Sequence, residues 1–304
     1  MAKWRYDNVR AVFAMANDEL RSTVRQSVRR FGMRNCEDVL TVAALEDRLR
    51  LDDIDLLITT PHLAGIDVGG LLQEVRHGRV GPNPFLIVVT LLDAPCPDMA
   101  RRVVDSGTDD LLLTPLSATQ LVERLDSFVM GRRPFVVTRD YVGPDRRGGN
   151  RSDGEAVARI EVPNPIRYQV VANADGSSLG EQIREAGQRL NLQKIKCYGE
   201  QVSFLIGRIV VAFGESGSQS GILADVQALS KVGCDMVRRI VGTNFVHGVE
   251  LLTALCRLCD RMSESDRNPK PAEIGILPIL AKGIERLLAE DPEAISWAKA
   301  ALVL

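Results

Sequence analysis

The sequence has almost no excess of either charge: 38 Lys and Arg stand against 40 Asp and Glu, for a formal net charge of −2. Without a strong field of one sign, neither nucleic acid nor an anionic membrane surface is favoured as a partner. The basic pairs Arg29–Arg30, Arg132–Arg133 and Arg238–Arg239 are scattered and lack interleaved aromatics, and no helix-turn-helix signature accompanies them. No apolar run approaches the roughly 20 residues of a membrane span. The opening "MAKWRYDNVRAVFAMANDELR" is charged throughout, unlike a secretory signal. Membrane insertion is therefore not expected, nor is binding to nucleic acid. Six cysteines in 304 residues, without such a signal, are expected as reduced thiols in a cytoplasm. A phosphate-cradling glycine loop and H-E-x-x-H are both missing, so the enzyme classes they serve find no support. Internal repeats and low-complexity tracts are missing too.

The chain is long enough for about two domains, and its 45% hydrophobic and 26% charged residues are ordinary for a globular protein. Residues 1–131 alternate short apolar runs with amphipathic segments. "VRAVFAM", a weaker stretch in Met33 to Val39, "IDLLITT", "FLIVVT" and "DLLLT" read as strands. "DELRSTVRQSVRRFG", "VAALEDRLRL", "VGGLLQEVRHG", "DMARRVVDSG" and "SATQLVERLDSFVMG" read as helices, with Gly32 and Gly78 as stops. "FLIVVT" is nearly all apolar, as a strand covered on both faces must be. Five such units imply a doubly wound, five-stranded parallel sheet, with ligand chemistry at the strands' carboxyl ends. Residues 132–167 are dense in Gly, Pro, Asp and Arg and read as a linker of limited order. Residues 168–304 read as all-α. Ile195, Tyr198, Val202, Leu205, Ile209 and Phe213 recur at three- and four-residue steps, as do Ile222, Val226, Leu229, Met236 and Ile240. Such stripes must pack on one another or on a second copy, so a homodimer through this domain is one expectation.

Three segments of the first part carry a family resemblance. "DLLITTPHLAGID" runs from Asp55 through Gly65 to Asp67, "PFLIVVT" ends on Thr90, and "SGTDDLLLTPLSATQLVERL" places Gly107, Asp109, Asp110, Leu112 and Pro115. In these, residues 9–131 resemble the receiver domain of bacterial two-component response regulators. The resemblance implies a flavodoxin-like fold and a magnesium-dependent phosphoacceptor pocket. In the family that pocket holds two acidic residues after the first strand, an acceptor aspartate, a Ser or Thr and a Lys. Here the acidic pair falls at Met15 and Ala16, the acceptor at Thr60 and the Lys at Thr114, leaving only Thr90. Asn17 and Asp18 follow at once, so a shift of one or two residues would restore one acid.

A Thr hydroxyl without an activating base is a far weaker nucleophile than a carboxylate. A hard divalent cation needs oxygen anions, which Met, Ala and Thr do not supply. No metal or other cofactor is expected. The reading is a pseudo-receiver with three Thr hydroxyls facing one neutral pocket. It is non-enzymatic and works by contact with protein partners in two-component or phosphorelay signalling.

Two alternatives stay open. Arg147 and Arg151 form an R-x-x-x-R pair, and "DGSSLG" from Asp175 follows it; both occur, in that order, in PilZ domains, which bind cyclic di-GMP. Against that, the segment after Gly180 reads as helix rather than β-barrel. The alternative for "YVGPDRR" is docking, with Tyr141 and Pro144 buried and Arg146, Arg147 and Arg151 solvated. The second alternative is phosphorelay through a non-standard residue, His247 or Asp18. His247 lacks the following Lys of phosphotransfer domains, having Glu250 there instead. His62 is expected as an exposed loop side chain, and His77 as suited to a helix end. Cys256 and Cys259 share a helical face with Leu252 and Leu255, so packing accounts for this C-x-x-C better than zinc does.

Overall fold

The computed structural model describes residues 4–51, 54–146, 158–171, 178–214, 219–264, 269–291 and 293–303. The chain divides into two units, 1–190 and 191–304. In the first, β1 (Ala11–Ala14), α1 (Asp18–Arg29), β2 (Cys36–Val39), α2 (Val42–Leu49) and β3 (Leu56–Thr59) follow in order. A small hairpin of β4 (His62–Leu63) and β5 (Ile66–Asp67) comes next, turning through Ala64 and Gly65, both at positive φ as a two-residue hairpin turn requires. Then come α3 (Gly69–Arg76), β6 (Ile87–Leu92), α4 (Pro97–Asp105), β7 (Asp110–Leu113) and α5 (Ala118–Met130).

The five long strands form an all-parallel sheet in the order β2-β1-β3-β6-β7, the flavodoxin-like order. Alternate residues of one strand feed opposite cores. Phe13, Leu56, Ile58 and Val89 join Val24 and Val28 of α1 and Leu121 and Leu125 of α5. Val12, Leu57 and Val88 join Leu45 and Leu49 of α2 and Leu72 and Val75 of α3. Each fully buried aliphatic side chain contributes about 1.5–3 kcal/mol, and that double-sided burial is why β1, β3 and β6 carry so few polar residues. Helix starts are set locally. Asn17 accepts from the Leu20 N–H, Thr41 from that of Ala44, and Ser117 and Gln120 form a reciprocal capping box.

The segment 132–167, expected as a loosely ordered linker, is built into this unit. Its described part holds β8 (Phe135–Val137), β9 (Val142–Pro144) and β10 (Arg159–Ile160), an antiparallel sheet in the order β10-β8-β9, and leads into α6 (Pro165–Val170). One buried carboxylate fastens it. Asp109 Oδ2 accepts from Arg76 Nη2 at 2.7 Å and from the Val88 N–H at 2.9 Å, while Oδ1 accepts from Arg132 Nη2 at 2.8 Å and Nε at 3.0 Å. Arg76 also donates to the carbonyls of Pro84, Leu86 and Gly107, and Arg132 to those of Phe85 and Pro163. Both guanidiniums lie over the Phe135 ring, at 5.2 and 4.9 Å from its centroid. Burial pulls the Arg132 pKa down to about 10, against the pull of Asp109 that favours its charge.

Gly107 permits this docking. It sits at φ +85°, and a Cβ there would fall 2.8 Å from Arg76 Cγ and 2.9 Å from the Val142 carbonyl oxygen. Any side chain would meet both the left-handed backbone penalty and a collision.

The second unit is helical, as expected. Helix α7 (Leu179–Gly214) enters it, followed by α8 (Gln219–Ile240), a single 3-10 turn (Val246–Gly248), α9 (Val249–Glu264), α10 (Pro271–Leu288) and α11 (Ala294–Val303). The apolar stripes meet in one core within the chain, with Ile195, Val202 and Ile209 of α7 against Leu229 and Met236 of α8, Leu252 and Leu255 of α9, and Leu277 and Ile284 of α10. A polar knot ties α7 to α8: Asp235 accepts from the Tyr198 hydroxyl at 2.6 Å, from Arg238 at 2.6 Å and from Arg239 at 2.9 Å, while Arg239 also donates to Asn191 Oδ1. Among the described residues, no helix is long and apolar enough to cross a membrane.

Candidate functional site

The carboxyl ends of β1, β3 and β6 lie side by side, with Ala14 paired to Thr59 and Thr59 to Thr90. Thr59 is fully buried, and its hydroxyl donates to the Ala14 carbonyl at 3.0 Å. Thr60 stands one residue beyond the strand, half-buried. Its hydroxyl donates to the His62 carbonyl at 2.8 Å, so the side chain is engaged with the backbone of the hairpin. Among the described residues no basic group is hydrogen-bonded to it, as activation of a hydroxyl requires.

Met15 is fully buried and Ala16 is exposed. The two residues that follow are both engaged elsewhere. Asn17 is spent capping α1, and Asp18 is exposed and ion-paired with Arg21. Arg21 also donates to the Met15 carbonyl at 2.6 Å and lies 3.5 Å from Asp38, which pairs with Arg25 as well. Both guanidiniums are thus balanced by carboxylates, Arg21 by Asp18 and Asp38 and Arg25 by Asp38. The Met15 carbonyl is already held by a guanidinium. Among the described residues, no group of three or more His, Cys, Asp or Glu is placed to hold a metal ion.

A cleft of about 310 Å³ opens between α3 and α4 over the paired Thr59 and Thr90. Thr60 lines it too, but Thr114, Met15 and Ala16 do not. The three hydroxyls expected in one pocket are therefore not gathered. Thr90 turns to Thr108, with their Oγ1 atoms 3.0 Å apart. Thr114 donates to Asp93 Oδ1 at 2.9 Å and precedes a cis bond to Pro115. The cleft is not neutral either, since Asp67, Arg102 and Asp105 contribute to its walls. These charges come from α4 and from the strand leading into α3, and the spacing of the hydroxyls gave no hint of them.

The second group of candidates lies around β9. Pro144 is buried, and Tyr141 is half-buried and donates its hydroxyl to the Pro144 carbonyl at 3.0 Å. Burial, partly offset by Arg146, pushes the Tyr141 phenol above its ordinary value. The docking expectation has these two residues buried and the arginines solvated. Arg146 departs from it: rather than standing in solvent, it donates to the Thr108 carbonyl at 2.6 Å and the Asp109 carbonyl at 3.3 Å. Arg147 and Arg151 lie outside the described residues, as do Asp175 and Gly176. Ser178 caps α7 in a reciprocal pair with Glu181, so a long helix follows this motif.

His247 is exposed in the 3-10 turn, His62 is exposed in the hairpin, and His77 is buried at the carboxyl cap of α3. Cys256 and Cys259 are both buried in the helical core. Sequence reasoning missed Arg21, Arg76 and Arg132. A signal for Arg76 was the charge ending the apolar helix "GGLLQEVR". Compared with known protein families and with curated proteins, the chain matches none.

Proposed function

We propose that the first unit is a receiver-like module that has lost its phosphoryl chemistry and acts, without catalysis, by protein contact in two-component signalling. The observation that carries this reading is Arg21, which bonds to the carbonyl of Met15 where an acidic pair would need to hold a cation. Thr60, in the acceptor's place, and Thr114, in the lysine's place, each have local backbone or carboxylate partners instead of one another. The strand order and the Gly107 to Pro115 run supply the rest of the support. In such a module the balance between two packings has no phosphate to bias it, so a partner protein does so or the state is fixed.

The helical unit is the proposed contact surface. Its own stripes are satisfied within the chain, yet Phe204 and Val211 on α7 and Leu223 on α8 remain exposed. Partner proteins, or a second copy, are the proposed occupants, in a cytoplasmic setting.

Amide spectra of the chain with magnesium and beryllofluoride, a phosphoryl mimic, test the reading. The expected result is no saturable shift in residues 11–18, 56–60 or 87–92. A saturable, magnesium-dependent shift there would overturn it.

A further inference from the structure

We infer that Cys234 and Cys256 are an oxidisable dithiol that closes to a disulfide between α8 and α9. Their sulfurs face each other 3.5 Å apart across the two helices. Bonded sulfurs lie about 2.0 Å apart, so the link needs a closure of about 1.5 Å between them. The helices come close here because residue 233 is glycine: a Cβ on it would lie 3.0 Å from Cys256 Sγ.

The two thiols differ in a way that orders the chemistry. Cys234 is exposed, while Cys256 and, one turn on, Cys259 are buried. Burial, with Cys234 beside it, pushes the Cys256 thiol up to about 12, and burial with Asp260 nearby does the same to Cys259. The thiolate is the nucleophile, so the first encounter with an oxidant falls to Cys234.

With a hydroperoxide as oxidant, the Cys234 thiolate attacks one peroxide oxygen and the O–O bond breaks. The products are the Cys234 sulfenic acid and the water or alcohol of the peroxide. Cys256 sulfur then attacks Cys234 sulfur. The S–S bond forms as the S–O bond breaks, and the departing hydroxide takes the Cys256 proton and leaves as water. The two thiols give up two electrons and two protons, and the hydroperoxide accepts both electrons. The link closes 22 residues of chain into a loop and fastens α8 to α9. This inference stands on the helical unit alone and does not rest on the reading of the first unit.

The test is brief treatment of the native full chain with hydrogen peroxide, then alkylation, intact mass and non-reducing peptide mapping. Expected are a mass lower by two hydrogen atoms, loss of two of the six titratable thiols, and one peptide joining Cys234 to Cys256, undone by dithiothreitol. Cys234→Ser and Cys256→Ser should each abolish that peptide. Cys234 is exposed, so its variant folds even if the buried one does not. Oxygen added at Cys234 without a link would overturn the inference, as would a link through Cys36, Cys96, Cys197 or Cys259.

Discussion

Asp109→Asn is expected to lower the stability of the chain by about 3–5 kcal/mol, the usual cost of removing one partner from a buried ion pair. Asparagine preserves the shape but leaves Arg76 and Arg132, both nearly inaccessible to solvent, facing a neutral amide. The penalty is large because the remaining bonds of these arginines go to neutral carbonyls, which do not balance two positive charges. For a unit of this size the loss corresponds to a drop in Tm on the order of 10 °C. The neighbouring Asp110 is the control. It is partly exposed, its partner Arg124 lies 3.5 Å away and is half in solvent, and Asp110→Asn is expected to cost no more than about 1 kcal/mol. Thermal melts give the ranking, and hydrogen exchange gives the location, with faster exchange expected at residues 84–88 and 135–144 in Asp109→Asn. Equal melting of the two variants would contradict the anchoring role.

Asp235→Ala is the second large effect, expected at about 3 kcal/mol in the helical unit. Three donors converge on this carboxylate, and two of them, the Tyr198 hydroxyl and the Arg239 guanidinium, are nearly closed off from water. Truncation removes the Asp235 acceptor of the phenol inside the core. Tyr198→Phe removes one neutral donor from a carboxylate that keeps both arginines, and about 1 kcal/mol is expected. Denaturant unfolding with the slope held in common reads both values. The account requires the carboxylate to cost more than the hydroxyl. The opposite order would mean that the knot is held by ring packing rather than by charge.

Much of the sheet was legible because its signals are local. "FLIVVT" and "DLLITT" are apolar on alternate and adjacent positions alike, as strands with helices on both faces must be. Asn17 and Ser117 announce helix starts from their own side chains. The strands within 132–167 were not legible, for a reason of the opposite kind. They are two or three residues long, β10 pairs with a strand more than 20 residues away, and the stretch is held by Asp109, Arg76 and Arg132 from elsewhere in the chain. Gly- and Pro-rich composition reported the turns and hid the pairing.

At the candidate site, Thr60 and Thr114 could be placed against the resemblance because Gly65 and Pro115 anchor the register there, whereas Met15 has no such anchor. What could not be read was where each hydroxyl would point. Thr90 bonds to Thr108 and Thr114 to Asp93, so residue type alone overstated how neatly they would converge. Arg21 shows the same limit: spacing places it one turn into a helix, and only the fold brings it onto the Met15 carbonyl.

The most direct measurement incubates the purified full chain with acetyl phosphate and magnesium and follows its intact mass. An end of β1 occupied by guanidinium, beside a hydroxyl already bonded to its own loop, predicts a mass that does not change. A phosphoryl adduct that maps to residues 15–18 or to Thr60, and that disappears when magnesium is withheld, would contradict it.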